Sequence, residues 1–193
     1  QIACTIGGNV AENAGGVHCL KYGLTVHNVH RVRGVLITGD VVEFGGDALD
    51  SPGYDLLALI SGSEGLLAVI TEITVKLTPK PQFAQVALAA FDDVEKAGAA
   101  VGAIIGAGIV PAGLEMMDQP ATRAVEQFVH ANYPLDAAAV LLVESDGTHE
   151  EVAAEMAEIK RAQRKPTSNL DAYDYYLRAA GLTWTRAGID VAL

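Results

Sequence analysis

The chain has 193 residues, half of them hydrophobic, and a formal net charge of −11. This composition excludes intrinsic disorder and provides for a sizeable buried core. The acidic balance, with no cluster of Lys and Arg before residue 160, argues against binding to nucleic acid. No apolar run reaches the roughly 18 to 20 residues of a membrane span. Two cysteines with no export signal behind Gln1 indicate a reduced, cytoplasmic protein.

Composition divides the sequence into three segments. Residues 1–79 hold 12 of the 20 glycines, whereas residues 80–160 carry four basic and thirteen acidic side chains. Pro79 and Pro81 fix φ and remove backbone donors, so neither a helix nor a central strand continues through them. We therefore predict a linker here, which separates domains at 1–79 and 80–160, with a divergent helical tail at 161–193.

The first segment contains two clear strand patterns. Residues 35–38 and 41–44 are short β-branched runs around the pair Gly39-Asp40, a pattern typical of a β-hairpin. Residues 70–77 alternate apolar and polar side chains, which predicts a strand with one buried face. The side chains predicted to share one face of that strand are Ile73, Val75 and Leu77.

The second segment alternates strands and helices in the order β-α-β-α-β-α. Asp92 or Asp93 is a candidate cap for the first helix, and Thr148 with Glu151 matches a capping box for the third. This order is typical of a sheet with helices on one face and resembles half of a ferredoxin-like fold. The predicted strands cover 84–90, about 113–117 and 139–144, and the second helix runs from about Asp118 to His130.

The first helix of this segment combines an apolar stripe with a repeat of glycines. Gly98, Gly102 and Gly106 recur every four residues, and each costs about 1 kcal/mol relative to Ala. Such a cost is tolerable where another backbone packs closely, so we predict that these glycines lie against the sheet. The predicted apolar stripe consists of Val94, Ala97, Val101, Ile104 and Ile105.

The segment Thr5–Gly16 has the composition of a ligand-binding loop. Its two Gly-Gly pairs allow a positive φ and a close approach of the backbone to a flat or anionic ligand. Asn9 and Asn13 add hydrogen-bond donors and acceptors. For this loop alone, a tight structural turn is an equally weighted alternative. The spacing matches neither a dinucleotide-binding GxGxxG motif nor a phosphate loop.

Five motifs follow one another along the chain: Thr5–Gly16, His18–Gly23, Gly53–Leu57, Gly62–Gly65 and Val69–Thr74. Their order and spacing resemble the second half of the FAD-binding domain, of PCMH type, in FAD-linked oxidases of the vanillyl-alcohol oxidase family. Residues 80–160 are similar to the beginning of the substrate cap of that family. The resemblance is to the group of glycolate oxidase D-subunits and D-lactate dehydrogenases. It implies an α+β chain: the C-terminal half of a PCMH-type FAD-binding domain followed by the first part of a ferredoxin-like cap.

The resemblance implies FAD as the cofactor, held along the flavin ring and ribityl chain by the Thr5–Gly16 segment. The turn at Glu64-Gly65 and the strand that follows would complete the pocket. Where the family has Thr and Gly, this sequence has Leu66 and Ala68, which removes a hydroxyl and adds a methyl beside the expected cofactor. The predicted cofactor-binding residues are Thr5, Ile6, Gly7, Gly8, Asn9, Ala11, Glu12, Asn13, Gly15, Gly16, Tyr22, Gly23, Glu64, Gly65, Val69 and Ile70.

The activity that the resemblance implies is oxidation of a small-molecule D-2-hydroxy acid, such as glycolate or D-lactate, by hydride transfer to the flavin. Partner subunits or a homodimer are compatible with it. The pyrophosphate loop of the family should precede Gln1, and its histidine motifs for metal and catalytic base should follow the cap. We therefore assign no catalytic residue and no metal ligand, and expect a truncated chain that is inactive alone. The alternative is a non-catalytic remnant that acts as a folded binding or dimerisation module.

Some residues near these motifs have plainer interpretations. His18, His27 and His30 have no acidic or histidine partner at zinc-like spacing, so we predict surface or packing roles for them. Cys19 is interpreted as a small buried residue. Residues 164–179 are similar to a segment that enters tetratricopeptide repeats, and an ordinary amphipathic helix is an equally weighted interpretation.

Overall fold

The structure is a computed structural model that describes residues 4–48 and 53–162. The chain separates into two compact units, with the division between Pro79 and Lys80. Each unit contains one three-stranded antiparallel sheet. No helix in the described ranges is long and apolar enough to cross a membrane. The predicted tail lies outside the described residues from position 163 onward.

The first unit has a sheet in the order β2-β1-β3, flanked by short helices. Its core is small and consists of Val10, Val29, Val32, Ile60 and Ala68. The elements are α1 (Ile6–Glu12), α2 (Cys19–Tyr22), a 3₁₀ turn (Thr25–Asn28), β1 (Val29–Val35), β2 (Val41–Gly45), α3 (Leu56–Ile60) and β3 (Val69–Val75).

The predicted hairpin is present, but its first strand lies earlier in the chain than expected. Strand β1 ends at Val35, which pairs with Val41, so residues 36–39 form the turn and not the strand. The Leu36 N–H donates to the Asp40 carbonyl oxygen at 2.9 Å. This early closure is the reason that the β-branched run at 35–38 does not continue the ladder.

Strand β3 confirms the predicted strand at 70–77 except at its end. The ladder stops at Val75, which pairs with Val29, the first residue of β1. Leu77 therefore has no strand opposite it and is 87% exposed. The prediction that Leu77 belongs to the buried face is wrong.

The second unit has a sheet in the order β4-β6-β5. Strand β6 is antiparallel to both neighbours, so β4 and β5 run parallel with one strand between them. This is the split β-α-β arrangement of ferredoxin-like folds and confirms the predicted α+β architecture. The elements are β4 (Phe83–Phe91), α4 (Val94–Gly106), β5 (Gly113–Asp118), α5 (Gln119–Val129), β6 (Ala139–Gly147) and α6 (His149–Ala162).

The helix starts of this unit follow the sequence signals closely. The Asp93 carboxylate accepts a hydrogen bond from the Glu95 N–H, and Asp118 accepts one from the Ala121 N–H, both at 2.9 Å. Thr148 and Glu151 form the predicted capping box: the Thr148 N–H donates to Glu151 Oε2 at 2.8 Å, and the Glu151 N–H donates to Thr148 Oγ1 at 3.2 Å. Strand β6 runs three residues beyond its predicted end because residues 145–147 pair with residues 83–85 of β4.

Both faces of the second sheet are packed. Leu141 and Val143 of β6 are fully buried in one cluster with residues of α4 and α6, and Val140 lies in a second cluster with Ala90 and Ala137. Because neighbouring residues of a strand point to opposite faces, the two clusters cover the two sides of the sheet. Helices α4 and α6 therefore share one face, which confirms the predicted arrangement for these two helices. Tyr133 packs against the other cluster.

The glycine repeat of α4 does not lie against the sheet. A Cβ atom placed at Gly98, Gly102 or Gly106 would meet nothing within 4 Å, so the predicted close packing is wrong. Ala97 and Ile104 are the residues that face the core, with 0% and 1% exposure. The glycines follow the apolar stripe by one or two positions, which turns them toward the open side of the helix.

Candidate cofactor pocket

The glycine-rich segment begins as a helix, so the expectation of an open loop through Thr5–Gly16 is wrong. Thr5 is the N-cap of α1, and its Oγ1 accepts a hydrogen bond from the Gly8 N–H at 3.0 Å. The positive φ that the glycines were expected to adopt occurs instead at Asn13, with φ of 48°, where the helix ends. A cap and one left-handed residue thus offset the low helix propensity of Gly7 and Gly8.

Asn13 joins the end of α1 to the 3₁₀ turn. Its Oδ1 accepts a hydrogen bond from the Val26 N–H at 3.0 Å, and beside it Thr25 Oγ1 donates to the Ala14 carbonyl oxygen at 2.8 Å. A Cβ atom at Gly15 would lie 3.2 Å from Leu24 Cδ2, so a side chain there would crowd the turn. These bonds hold the segment that follows α1 in one place.

The turn at residues 62–65 packs against the end of the same helix. The Gly62 N–H donates to the Val10 carbonyl oxygen and the Glu64 N–H donates to the Ala11 carbonyl oxygen, both at 2.9 Å. A Cβ atom at Gly62 would lie 3.0 Å from the Asn13 Cβ. The turn therefore donates to two carbonyl oxygens at the end of α1, of which that of Val10 also accepts the Asn13 N–H.

An open pocket of about 320 Å³ lies beside α1, α2 and the 3₁₀ turn of the first unit, at the lower end of the range for ligand sites. Six predicted residues line it: Ile6, Asn9, Gly15, Gly16, Tyr22 and Gly23. The other lining residues are Val10, Ala14, His18, Cys19, Leu24, Thr25, Asn28, Val29, Val75 and Lys76.

The remaining predicted residues do not line this pocket. Glu64 contacts the end of α1 through its backbone, Val69 is 65% exposed, and Ile70 packs against the core of the unit. Their predicted contacts with the cofactor stay predictions. The residues of this group are Thr5, Gly7, Gly8, Ala11, Glu12, Asn13, Glu64, Gly65, Val69 and Ile70.

Sequence reasoning missed several lining residues. His18 and Cys19 directly follow the glycine-rich segment, so their position in the chain was the available signal. Asn28 and Lys76 are distant in sequence and meet because the Lys76 N–H donates to the Asn28 carbonyl oxygen at 2.8 Å, where β1 and β3 begin and end. The Cys19 thiol is half-buried, and its Sγ accepts a hydrogen bond from the Gly16 N–H at 2.9 Å.

The side chains that line the pocket differ in charge from the chain as a whole. Although the net charge is −11, none of the described residues that line the pocket is Asp or Glu. Lys76 lines it, and Lys21 Nζ lies 5.8 Å from the centre of the Tyr22 ring. His18 meets that ring edge-on at 6.4 Å. Such a donor set fits an anionic ligand with an aromatic ring, and the volume fits part of an FAD molecule.

The two departures from the family pattern lie away from this pocket. Ala68 is 3% exposed in the core of the unit, and its Cβ would be 3.2 Å from a Cβ at Gly34. Leu66 is 86% exposed. The added methyl therefore packs into the core and does not narrow the pocket. Within residues 4–48 and 53–162, no three His, Cys, Asp or Glu side chains are grouped to hold a metal ion.

Both units match models of one class of protein. Residues 1–45 match an FAD binding domain, and residues 80–172 match the C-terminal domain of FAD linked oxidases. The fold agrees, since an alkyldihydroxyacetonephosphate synthase superimposes on 89% of the chain, over 36% of its own length, with a TM-score of 0.67 at 21% identity. Both units therefore match domains of the FAD-linked oxidase class.

More particularly, the chain belongs to the FAD-linked oxidases with a PCMH-type FAD-binding domain. It is 64% identical over 152 residues to glycolate oxidase subunit GlcD of Escherichia coli K12, which covers 79% of this chain and 30% of the relative. A D-lactate dehydrogenase of Anaerostipes hadrus is 36% identical over 161 residues, which covers 80% of this chain and 34% of the relative. The chain thus spans about a third of the length of these relatives.

Proposed function

We propose that this chain supplies part of the flavin site and part of the substrate cap of an enzyme that oxidises D-2-hydroxy acids, such as glycolate or D-lactate, to 2-oxo acids. The similarity to relatives named glycolate oxidase subunit and D-lactate dehydrogenase supports this substrate class. When bound, FAD supplies the acceptor for the hydride that leaves the substrate. The observation that carries the proposal is a pocket without carboxylates in a strongly acidic chain.

In this proposal the two units have different tasks. Residues 1–79 are the partial FAD-binding domain and residues 80–160 are the partial cap. Within the first unit, Asn9, Tyr22 and Gly23 contact the cofactor from the pocket wall. Of the predicted residues outside the pocket, Thr5, Asn13 and Glu64 hold α1 and the segment after it in position through hydrogen bonds.

The side chains of the pocket also determine the surroundings of the bound cofactor. The Tyr22 ring, with His18 at its edge and Lys21 near its face, offers a flat surface beside the amide of Asn9. Apolar side chains of Ile6, Leu24 and Val75 line the remainder. A mixed wall of this kind orients a ring system by stacking and fixes its polar edge by hydrogen bonds.

The experiment is retention of FAD by the purified 193-residue chain. We expect the protein to leave gel filtration yellow after incubation with FAD, with the flavin absorption bands in the protein peak. A chain that folds, as shown by circular dichroism, and yet elutes colourless after added FAD would contradict the proposal. That result would favour the alternative of a folded module without catalytic function.

A further inference from the structure

One wall of the pocket is made by Tyr22, Gly23 and Leu24, between α2 and the 3₁₀ turn. Little regular structure holds this wall. Helix α2 has only four residues, and Gly23 has a φ of 79°. A side chain at Gly23 would be strained by that φ, and its Cβ would lie 2.7 Å from His27 Nδ1. Its position must therefore come from specific hydrogen bonds.

Asn28 provides two of these bonds with one amide group. Its Nδ2 donates to the Tyr22 carbonyl oxygen at 2.9 Å and to the Leu24 carbonyl oxygen at 3.1 Å. Both N–H groups of a single planar amide thus hold the wall on either side of Gly23. On the inner side, the Leu24 N–H donates to His27 Nδ1 at 3.0 Å, which fixes the same residue a second time.

Asn28 is itself fixed to the sheet. Its carbonyl oxygen accepts the Lys76 N–H at 2.8 Å, directly after the end of β3, and its backbone leads into β1. Asn28 therefore connects the sheet of the first unit to the least regular part of the pocket. The sheet holds the backbone of Asn28 in place, and the Asn28 amide in turn holds Tyr22 and Gly23.

We propose that Asn28 is a positioning residue for the cofactor: it sets the distance between Tyr22 and the FAD that the proposed function places in this pocket, on which this inference rests. The chemistry requires an amide of this length. A carboxylate at the same place cannot donate, and it would face two carbonyl oxygens with a negative charge. A methyl group would remove the amide donor from both carbonyl oxygens, of which that of Leu24 would keep the bond from the His27 N–H.

The test compares Asn28→Asp and Asn28→Ala with Asp55→Ala. Asp55 is the N-cap of α3 in the same unit, where its Oδ1 accepts the Ala58 N–H at 2.9 Å, and it does not line the pocket. All three variants lose side-chain hydrogen bonds to the backbone. We expect the dissociation constant for FAD, measured by quenching of flavin fluorescence, to rise roughly tenfold in both Asn28 variants and less than about twofold in Asp55→Ala. Equal weakening in the three variants, or none in the Asn28 variants, would overturn the proposal.

A second readout needs no cofactor. Cys19 lies in the pocket beside this wall, and Cys4 is exposed, so the two free thiols form an internal comparison. In the chain without FAD, we expect alkylation of Cys19, but not of Cys4, to become at least about threefold faster in both Asn28 variants, and to keep the original rate in Asp55→Ala. An unchanged Cys19 rate in a folded Asn28→Asp protein would overturn the positioning role.

The two readouts separate the inference from the proposed function. If the unchanged chain does not bind FAD, the proposed function fails, and the Cys19 rates still decide whether Asn28 holds the wall. If the chain binds FAD and the Asn28 variants bind it equally well, only the inference fails. Asn28→Ser, which keeps one donor group, provides the milder variant should Asn28→Ala not fold, and we expect its effects to lie between those of the unchanged chain and Asn28→Asp.

Discussion

The two units of this chain are fixed by different interactions. In the second unit, β4 and β6 pair over nine residues without interruption, and eight buried apolar residues form one cluster on that sheet. In the first unit, the ladder between β1 and β3 shifts register twice, and its buried cluster has five residues. Around the pocket, side chains bond to the backbone instead. Thr5 and Asn13 each accept one backbone N–H, Thr25 donates to one carbonyl oxygen, and Asn28 donates to two.

The difference shows what a polar ligand requires of its site. Close-packed apolar side chains leave no room for a cofactor with charged and hydrogen-bonding groups, so the backbone that lines such a pocket must be positioned in another way. Side-chain amides and hydroxyls do this at the cost of regular secondary structure. We therefore expect mutations in the two units to act through different mechanisms.

The largest expected effect is loss of apolar packing in the second unit. Leu141→Ala removes a fully buried side chain from the central strand β6 and should lower the free energy of unfolding of this unit by about 2–5 kcal/mol. Hydrogen exchange with mass spectrometry should show faster exchange in β4 and β6 and unchanged exchange in β1 and β3. Leu135→Ala, at a residue 42% exposed, is the matched control and should have little effect. Equal loss of protection in both units would contradict the conclusion that the two units are stabilised by different interactions.

An intermediate effect on stability is expected from a substitution in the first unit at a glycine with a positive φ. Gly45 has a φ of 81°, and a Cβ atom there would clash with the His30 carbonyl oxygen. Gly45→Ala should therefore cost about 1–3 kcal/mol in unfolding free energy, measured by urea titration. The neighbouring Gly46 has open space around its Cβ position. Gly46→Ala should change stability by less than about 0.5 kcal/mol, and similar losses in the two variants would refute the conformational explanation.

The smallest expected effect concerns a polar clamp in the second unit. The Glu126 carboxylate accepts hydrogen bonds from the backbone N–H groups of Ala131, Asn132 and Tyr133 at 2.9, 2.9 and 3.1 Å. The bond from the Tyr133 N–H is the main cause that holds the pKa of Glu126 below its ordinary value of 4.5, and His130 adds to the effect. Glu126 thus holds a backbone segment by side-chain hydrogen bonds, as Asn13 and Asn28 do around the pocket of the first unit.

Because the folded pKa is lower than the unfolded one, the stabilisation by Glu126 is complete above about pH 4.5 and is lost as the pH falls through the folded pKa. The urea concentration at the unfolding midpoint of the unchanged chain should therefore decrease as the pH is lowered from 6 to 3.5. In Glu126→Gln this decrease should be smaller. Glu115→Gln, at an exposed residue of β5, serves as the control. If the unfolding midpoint of Glu126→Gln depends on pH as that of the unchanged chain does, the hydrogen bonds of Glu126 are not the cause of this dependence.

Much of the second unit could be predicted from sequence because its signals are local. The caps at Asp93, Asp118 and Thr148 act within three residues, and the apolar periodicity of each element is long enough to detect. The orientation of the Gly98 repeat was not predictable in the same way, since glycines at helical spacing fit a close contact and an open surface equally well. The surrounding elements decide between the two.

The pocket could be predicted only in part. The glycine-rich segment was correctly recognised by its resemblance to FAD-linked oxidases, but the helix at its start depends on the cap by Thr5, which outweighs two glycines. Asn28 and Lys76 belong to the site through the meeting of β1 and β3. No local pattern contains that information, because the register of two distant strands produces it.

The central claim is that the first unit holds FAD in a pocket free of carboxylates. Its most direct test is a fluorescence titration of FAD with the unchanged chain, with Asn9→Asp, which places a negative charge in the pocket, and with Gln127→Glu, which adds the same charge on the exposed side of α5. We predict saturable binding of one FAD per chain, at least tenfold weaker in Asn9→Asp and unchanged in Gln127→Glu. No saturable binding, or equal affinity in Asn9→Asp, would contradict the account.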